Sequence, residues 1–535
     1  MMRRETKFGA RQRPLVFGQR DWRPLIAAAL AAAALAASGQ AGAALAQGQL
    51  HPTPAPTPLQ QPPPLPAPVP APVAAPPPAP PVSVPLRPDQ VDLMRRTLAQ
   101  AETHGFSHEA FTPTRLDALL QSANTDTRLD GETQLIAAIL RYARAVHTGR
   151  LPAAAFLDEW GLRPAPYDPT PDFIAAATTD HLGAWLDSLP PPYSGYQSLR
   201  GALATYRAIA AKGGWQAIDA GPDLKQGDKG PRVIQLRTRM AIEDPVFAAA
   251  ARPKLIGLFD QPLADAVIRA QKRYGLEPTG VVKGATLAAL NRPVEDRVAQ
   301  ILANMERWRW LPPSLPADRV QVNIAAAILT VFHGDGPTLS MRAATGRPDD
   351  QTPMLQSQIQ SIVLNPPWNV PSSIATKELL PKEKAHPGYL KRNDFIVIAT
   401  PEGGTRLQQK AGPKAALGRV KFDFPNRYGV YLHDTPTRSA FGRYARQVSH
   451  GCVRLERPVI LANALMTGDD VWTPDKVQTT LDSKKTVRAP LQTPIAVYLF
   501  YWTAFVGPDG MADFRADPYD WDSALMQRIA AGARS

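Results

Sequence analysis

Between His51 and Pro88 the chain places 18 prolines in 38 residues. Each proline fixes φ near about −65° and removes a backbone donor, so neither a helix nor a sheet ladder can run through this stretch. Alanine and valine fill the gaps, which predicts an extended polyproline spacer over 47–88 with no core of its own. The remaining body of a 535-residue chain exceeds what one core holds at about 150 residues per domain, so several modules are expected.

Ahead of the spacer, Arg3, Arg4, Lys7, Arg11 and Arg13 precede an uncharged run from Leu25 to Ala46 that ends Ala44-Leu45-Ala46. A basic start, an apolar centre and small residues at the end form an export signal over 1–46, cleaved after Ala46 or retained as an anchor. Membrane contact is confined to this segment, and is transient where the segment is cleaved. Of the formal net charge of +13, an excess of five sits in residues 1–24. Export separates the rest from nucleic acid, so the basic balance does not argue for that partner.

From Asp89 to Ala220 apolar residues recur at three and four, as in Leu135, Ile136, Ile139, Leu140 and Ala143, which predicts an all-α scaffold. Its histidines, His104, His108, His147 and His181, are scattered and carry no catalytic spacing. Residues 221–292 have Gly227, Gly230, Val233, Leu236 and Met240 opening one helix, Leu263, Val267 and Ala270 on a second, and Thr286 and Leu290 on a short third. This small three-helix module resembles the peptidoglycan-binding type 1 domain, which implies contact with glycan strands. A linker helix is expected over 293–318. Beyond it β-branched runs such as Val320–Ile324, Ile359–Leu364 and Val420–Phe424 predict a mainly β domain, sandwich-like or barrel-like with short helices, over 319–506. Residues 372–418 form a basic insertion, with eight lysines and arginines from Lys377 to Lys414, and 507–535 a C-terminal segment.

The single cysteine, Cys452, rules out an intrachain disulfide and a cysteine-cluster zinc site, and it lies in Ser449-His450-Gly451-Cys452-Val453-Arg454. A cysteine attacks as thiolate, which calls for a nearby base or a helix N-terminus. His450 is too close in sequence for in-line proton abstraction. His433, on a separate predicted strand, is the better base, and Asp434 or a main-chain carbonyl would orient it. Gly451 frees the backbone to bend, so the amides of Gly451 and Cys452 are expected to face a developing oxyanion. The run Glu456–Leu461, with Pro458 in its first turn, predicts a helix whose positive end lies just past Cys452.

His433, fifteen intervening residues and then Ser449-His450-Gly451-Cys452 resemble the signature of the YkuD-type L,D-transpeptidases. Trp368-Asn369-Val370-Pro371 and Tyr428–Pro436 agree with it, and the module order resembles the large YcbB subgroup. The resemblance implies a Cys452 thioester and cross-links between third residues of peptidoglycan stem peptides, which serve as donor and acceptor. Ser449, His450, Arg454, Asp434, Tyr428 and Trp368 then bind substrate or support the site. Arg454 stands where asparagine is commoner, and would hold either a stem-peptide carboxylate or an ion pair within the loop. The insertion 372–418 resembles a capping subdomain over the site. No metal or organic cofactor is expected, and carbapenems are expected to acylate Cys452. Composition biased to alanine, arginine and proline suggests a high-GC Gram-negative source, hence a periplasmic, wall-associated enzyme. The same nucleophile would equally serve an L,D-carboxypeptidase or a wall-to-outer-membrane-protein ligase. A non-catalytic wall-binding scaffold is the reading from another class.

Overall fold

The computed structural model describes residues 82–532, except 251–252, 335 and 402–403. The expected signal segment and most of the proline-rich spacer lie outside the described residues. Where the prolines thin out, Pro88 opens the first helix, Pro88–Ala99, at the one position where its missing N–H costs nothing. The long helix Thr125–Thr148 begins at Asn124, whose side chain accepts from the Thr127 amide at 2.9 Å. Its Leu135, Ile136, Ile139, Tyr142, Ala143 and Val146 are buried against neighbouring helices. The three main helices of the next module are Pro231–Glu243, Gln261–Arg273 and Gly284–Asn291. Val233, Leu236, Met240, Leu263, Val267 and Leu290 form its core.

The two helical modules share a buried polar joint. Glu243 pairs with Arg239 at 2.7 Å and accepts from the hydroxyl of Tyr206, which belongs to the scaffold helix Ser194–Ala211. The supposed linker helix, Val294–Trp308, proves to be central: Ile301, Ala303, Asn304, Met305 and Glu306 have no exposed surface. Its Gln300 and Asn304 hold the Thr503 backbone and side chain, and Arg307 meets Asp522 at 2.5 Å. Asp522 lies in the first turn of the helix Trp521–Gly532, so the C-terminal segment is locked into the body.

The mainly β domain contains β1 (Arg319–Asn323), β2 (Ile328–His333), β3 (Gly336–Gly346), β4 (Leu355–Leu364), β5 (Trp368–Asn369), β6 (Phe395–Ala399), β7 (Thr405–Gln409), β8 (Val420–Asp423), β9 (Leu432–His433), β10 (Gln447–Ser449), β11 (Val453–Leu455) and β12 (Val487–Phe500). Nine of them form one sheet in the order β10-β3-β11-β9-β8-β4-β12-β1-β2, and a further β2–β3 pairing closes it on itself. This is the barrel-like, mainly β fold expected, preceded by helical modules. Long β3 makes closure possible because successive stretches of it pair with β2, β11 and β10. The core runs from the barrel into its neighbours: Trp160, Trp310 and Trp521 pack together, contributed by the scaffold, the segment after the central helix and the C-terminal helix.

β5, β6 and β7 form a separate small sheet within residues 368–409. Together with short helical turns between Ser372 and Arg392 it encloses its own cluster around Val370, Leu379 and Leu407. The basic insertion is thus a folded subdomain with a core, not a bare surface hairpin.

Candidate active site

β9 and β11 run parallel, with Val453 opposite Leu432 and Arg454 opposite His433. Successive residues of a strand point to opposite faces. Leu432, Val453 and Leu455 are completely buried in the barrel core. Tyr431, His433, Cys452 and Arg454 therefore share the other face, which is how two short strands bring a thiol, an imidazole, a phenol and a guanidinium together. The Tyr431 and His433 rings stand 5.6 Å apart, edge to face.

His433 Nδ1 lies 2.5 Å from the main-chain carbonyl of Asp434. A carbonyl only accepts, so Nδ1 carries the proton and Nε2 keeps a free lone pair. Burial, reinforced by the positive charges of Arg454 and Lys421, pushes His433 down to about 3, so the ring is a neutral base. The orienting group is the Asp434 backbone. The Asp434 carboxylate is occupied elsewhere, accepting from the amides of Arg419 and Thr435 at 2.7 Å each and from Arg438 at 2.6 Å.

Cys452 is half-buried. Burial pushes its thiol up; the amide and hydroxyl of Tyr431, acting as hydrogen-bond donors, and the charges of Lys421 and Arg454 pull the other way without prevailing. The thiol and the imidazole on this face are therefore both neutral at rest. The helix expected after Cys452 forms as Pro458–Leu465, with β11 and two further residues between it and Cys452 along the chain.

Gly451 sits at φ +101°, a conformation that other residues rarely adopt. Ser449 Oγ accepts from the Gly451 amide at 3.2 Å and donates to the Cys452 carbonyl at 2.5 Å, which closes the turn. The Gly451 amide is thereby committed, contrary to its expected place in an oxyanion site. The Cys452 amide has no protein acceptor among the described residues and remains open to a substrate oxygen. His450 turns away from this centre to the insertion, its Nε2 2.6 Å from Glu378.

The Arg454 guanidinium makes no hydrogen bond or ion pair with any described residue; burial pushes it down, and Cys452 pulls the other way. An ion pair within the loop is therefore not its role here. Trp368 lies at the root of the insertion, 6.3 Å from Phe395, and donates towards the Tyr431 hydroxyl. Tyr428 is not at the site: its hydroxyl donates to the Asp158 carbonyl at 2.6 Å and so fastens the barrel to the scaffold. Sequence reasoning assigned no role to Tyr431, Lys421 or Glu378. Tyr431 was within reach, because the strand period places residue 431 on the face of residue 433; Glu378 offered no sequence signal.

Two buried histidines make stability depend on pH. His104, pushed down to about 3 by burial, and His433 stay neutral in the fold, whereas both charge near pH 6.5 once unfolded. The stability they contribute is complete above pH 6.5 and is lost as pH falls towards 3. Urea unfolding at pH 5 against pH 7.5 should show a loss of about 2 kcal/mol per histidine. About half of that loss should vanish in His104→Gln; an unchanged midpoint would contradict the neutral assignment.

Residues 317–473 match the YkuD family model, described as an L,D-transpeptidase catalytic domain. Residues 86–203 match one described as a scaffold domain, and 230–290 one described as "Putative peptidoglycan binding domain". A Haemophilus influenzae protein named "Putative L,D-transpeptidase" is 33% identical over 249 residues, 43% of this chain and 50% of that protein. The chain thus spans about half the length of the curated relative it matches. Among solved structures, an L,D-transpeptidase of Xylanimonas cellulosilytica is 17% identical at TM-score 0.19, covering 53% of this chain and 99% of that one. An L,D-transpeptidase from Mycobacterium smegmatis is 18% identical at TM-score 0.18, covering 34% and 58%. At these scores the superpositions decide nothing. The sequence matches do: the chain carries a YkuD-type L,D-transpeptidase domain, with a scaffold domain and a peptidoglycan-binding domain adjoining it.

Proposed function

We propose that this protein is an exported, wall-associated L,D-transpeptidase that cross-links peptidoglycan through a thioester on Cys452. The observation that carries the reading is the shared face of Cys452, His433, Tyr431 and Arg454, on which His433 Nε2 is the unprotonated ring nitrogen. In the first step Sγ attacks the carbonyl of the third stem residue while His433 takes the thiol proton. The bond to the terminal D-alanine breaks, and the same proton passes to the leaving amine. The Cys452 amide stabilises the oxyanion of the tetrahedral intermediate. In the second step a side-chain amine from another stem attacks the thioester. A new amide forms, the C–S bond breaks, and His433 returns the amine's proton to sulfur. The adjoining modules hold the wall, and the module order fits the YcbB subgroup.

Arg454 is the donor-side anion site, because an unpaired guanidinium beside the nucleophile matches the carboxylate that a tetrapeptide stem presents next to the scissile bond. Arg454→Gln should raise KM for the donor about 10- to 100-fold with a small effect on kcat, the worth of one charge-assisted hydrogen bond. Steady-state kinetics of D-alanine release would measure this, and an unchanged KM would remove the assignment.

The reaction is tested by incubating the protein with disaccharide-tetrapeptide and weighing the products. A dimer lighter than two substrates by one D-alanine is expected. Loss of D-alanine without a dimer would replace cross-linking by L,D-carboxypeptidase activity or by transfer to a protein amine. No change would favour a wall-binding scaffold.

A further inference from the structure

The loop that presents Cys452 is held from outside the barrel. In the insertion the helical run loosens into a π-turn, Ala375–Leu379, a local widening that recurs at functional positions because it redirects one side chain. Here it sends Glu378 towards the nucleophile loop, where Oε1 lies 2.6 Å from His450 Nε2 and 3.7 Å from the Arg347 guanidinium. Arg347 is anchored to the same loop, its amide donating to the Ser449 carbonyl at 3.0 Å, and its side chain pairs with Asp350 at 2.5 Å. Glu378 and His450 are both partly exposed, with about 30% of each side chain accessible, so the contact can open without unpacking a core.

We propose that Glu378 is a positioning residue that couples the seating of the insertion to the geometry of the Ser449–Cys452 turn. The carboxylate accepts from His450 Nε2–H, which fixes that ring and the backbone on either side of it. Gly451 and Cys452 follow directly, so a shift of His450 moves both the nucleophile and the open Cys452 amide. The root of the insertion also touches the site through Trp368, which donates towards Tyr431, and Glu378 is the polar latch of its far part. Seating of the insertion and competence of the thiol then become one event. The proposal rests on the Cys452 reaction for its catalytic consequence, but the latch itself does not.

The test compares the full-length protein with Glu378→Ala and Glu378→Gln by two readouts. The first is the rate at which iodoacetamide alkylates Cys452, read by intact mass; the second is D-alanine release from disaccharide-tetrapeptide. In Glu378→Ala alkylation should rise about fivefold or more as the latch opens, and D-alanine release should fall about twentyfold. The melting temperature should stay within about 2 °C, since the contact is at the surface. Glu378→Gln keeps an oxygen that accepts from Nε2–H, so it should restore alkylation to within about twofold of the parent. An alkylation rate in Glu378→Ala within about twofold of the parent overturns the latch, as does failure of Glu378→Gln to restore protection. If the parent itself releases no D-alanine, the proposed reaction falls, while alkylation still decides the latch.

Discussion

Cys452→Ala is expected to lose D-alanine release and cross-link formation together, by a factor of at least about 10⁴. In the proposed reaction both half-reactions pass through the same sulfur, and no other cysteine exists to replace it. The fold should be unaffected, because Cys452 is only half-buried and the turn is closed by Ser449, Gly451 and the Cys452 backbone. Cys452→Ser should be nearly as inactive. A hydroxyl is a much weaker acid than a thiol, and His433, held down at about 3, is too weak a base to take its proton. Parallel loss of both products is the informative outcome. If cross-linking stopped while D-alanine release continued, the two steps would use different nucleophiles.

His433→Gln should reduce kcat/KM by about 10³, the upper part of what a positioned base contributes. The effect should carry a pH signature. In the parent, His433 is neutral at every pH above about 3, so the rate should show no inflection near 6.5, where an ordinary histidine titrates. Burial pushes the Cys452 thiol up, so alkalinity should accelerate the reaction by supplying thiolate directly. In His433→Gln only that direct route remains, and its residual rate should climb about tenfold per pH unit through neutrality. Rate profiles from pH 5 to 9 for both proteins would show this. A parent profile with an acid limb near pH 6.5 would mean that His433 is exposed and charged in solution.

The parts of this site that follow from local sequence pattern were legible, and those set by pairing across the chain were not. β-branched runs marked the strands around Val320 and Ile359 because such side chains fit a pleated, buried surface. The spacing from His433 to Cys452 marked two residues that the fold does bring to one face. Which atom of Asp434 orients His433 depends on where its carboxylate goes, and that is decided by Arg419 and Arg438. Tyr428 lies within the motif yet serves the scaffold contact at Asp158, a partner 270 residues away. The helix Val294–Trp308 has the pattern of an amphipathic connector, but the polar residues Gln300, Asn304 and Glu306 are buried against Thr503, Arg515 and Arg150. Periodicity cannot anticipate polar positions satisfied in that way.

The proposed reaction turns on a covalent bond to one sulfur, and intact-protein mass spectrometry after rapid acid quench measures it directly. Mixed with disaccharide-tetrapeptide for seconds, the protein should gain the mass of the substrate less one D-alanine, mapped to Cys452 and absent from Cys452→Ala. D-alanine release that proceeds with no adduct, and persists in Cys452→Ala, would contradict it.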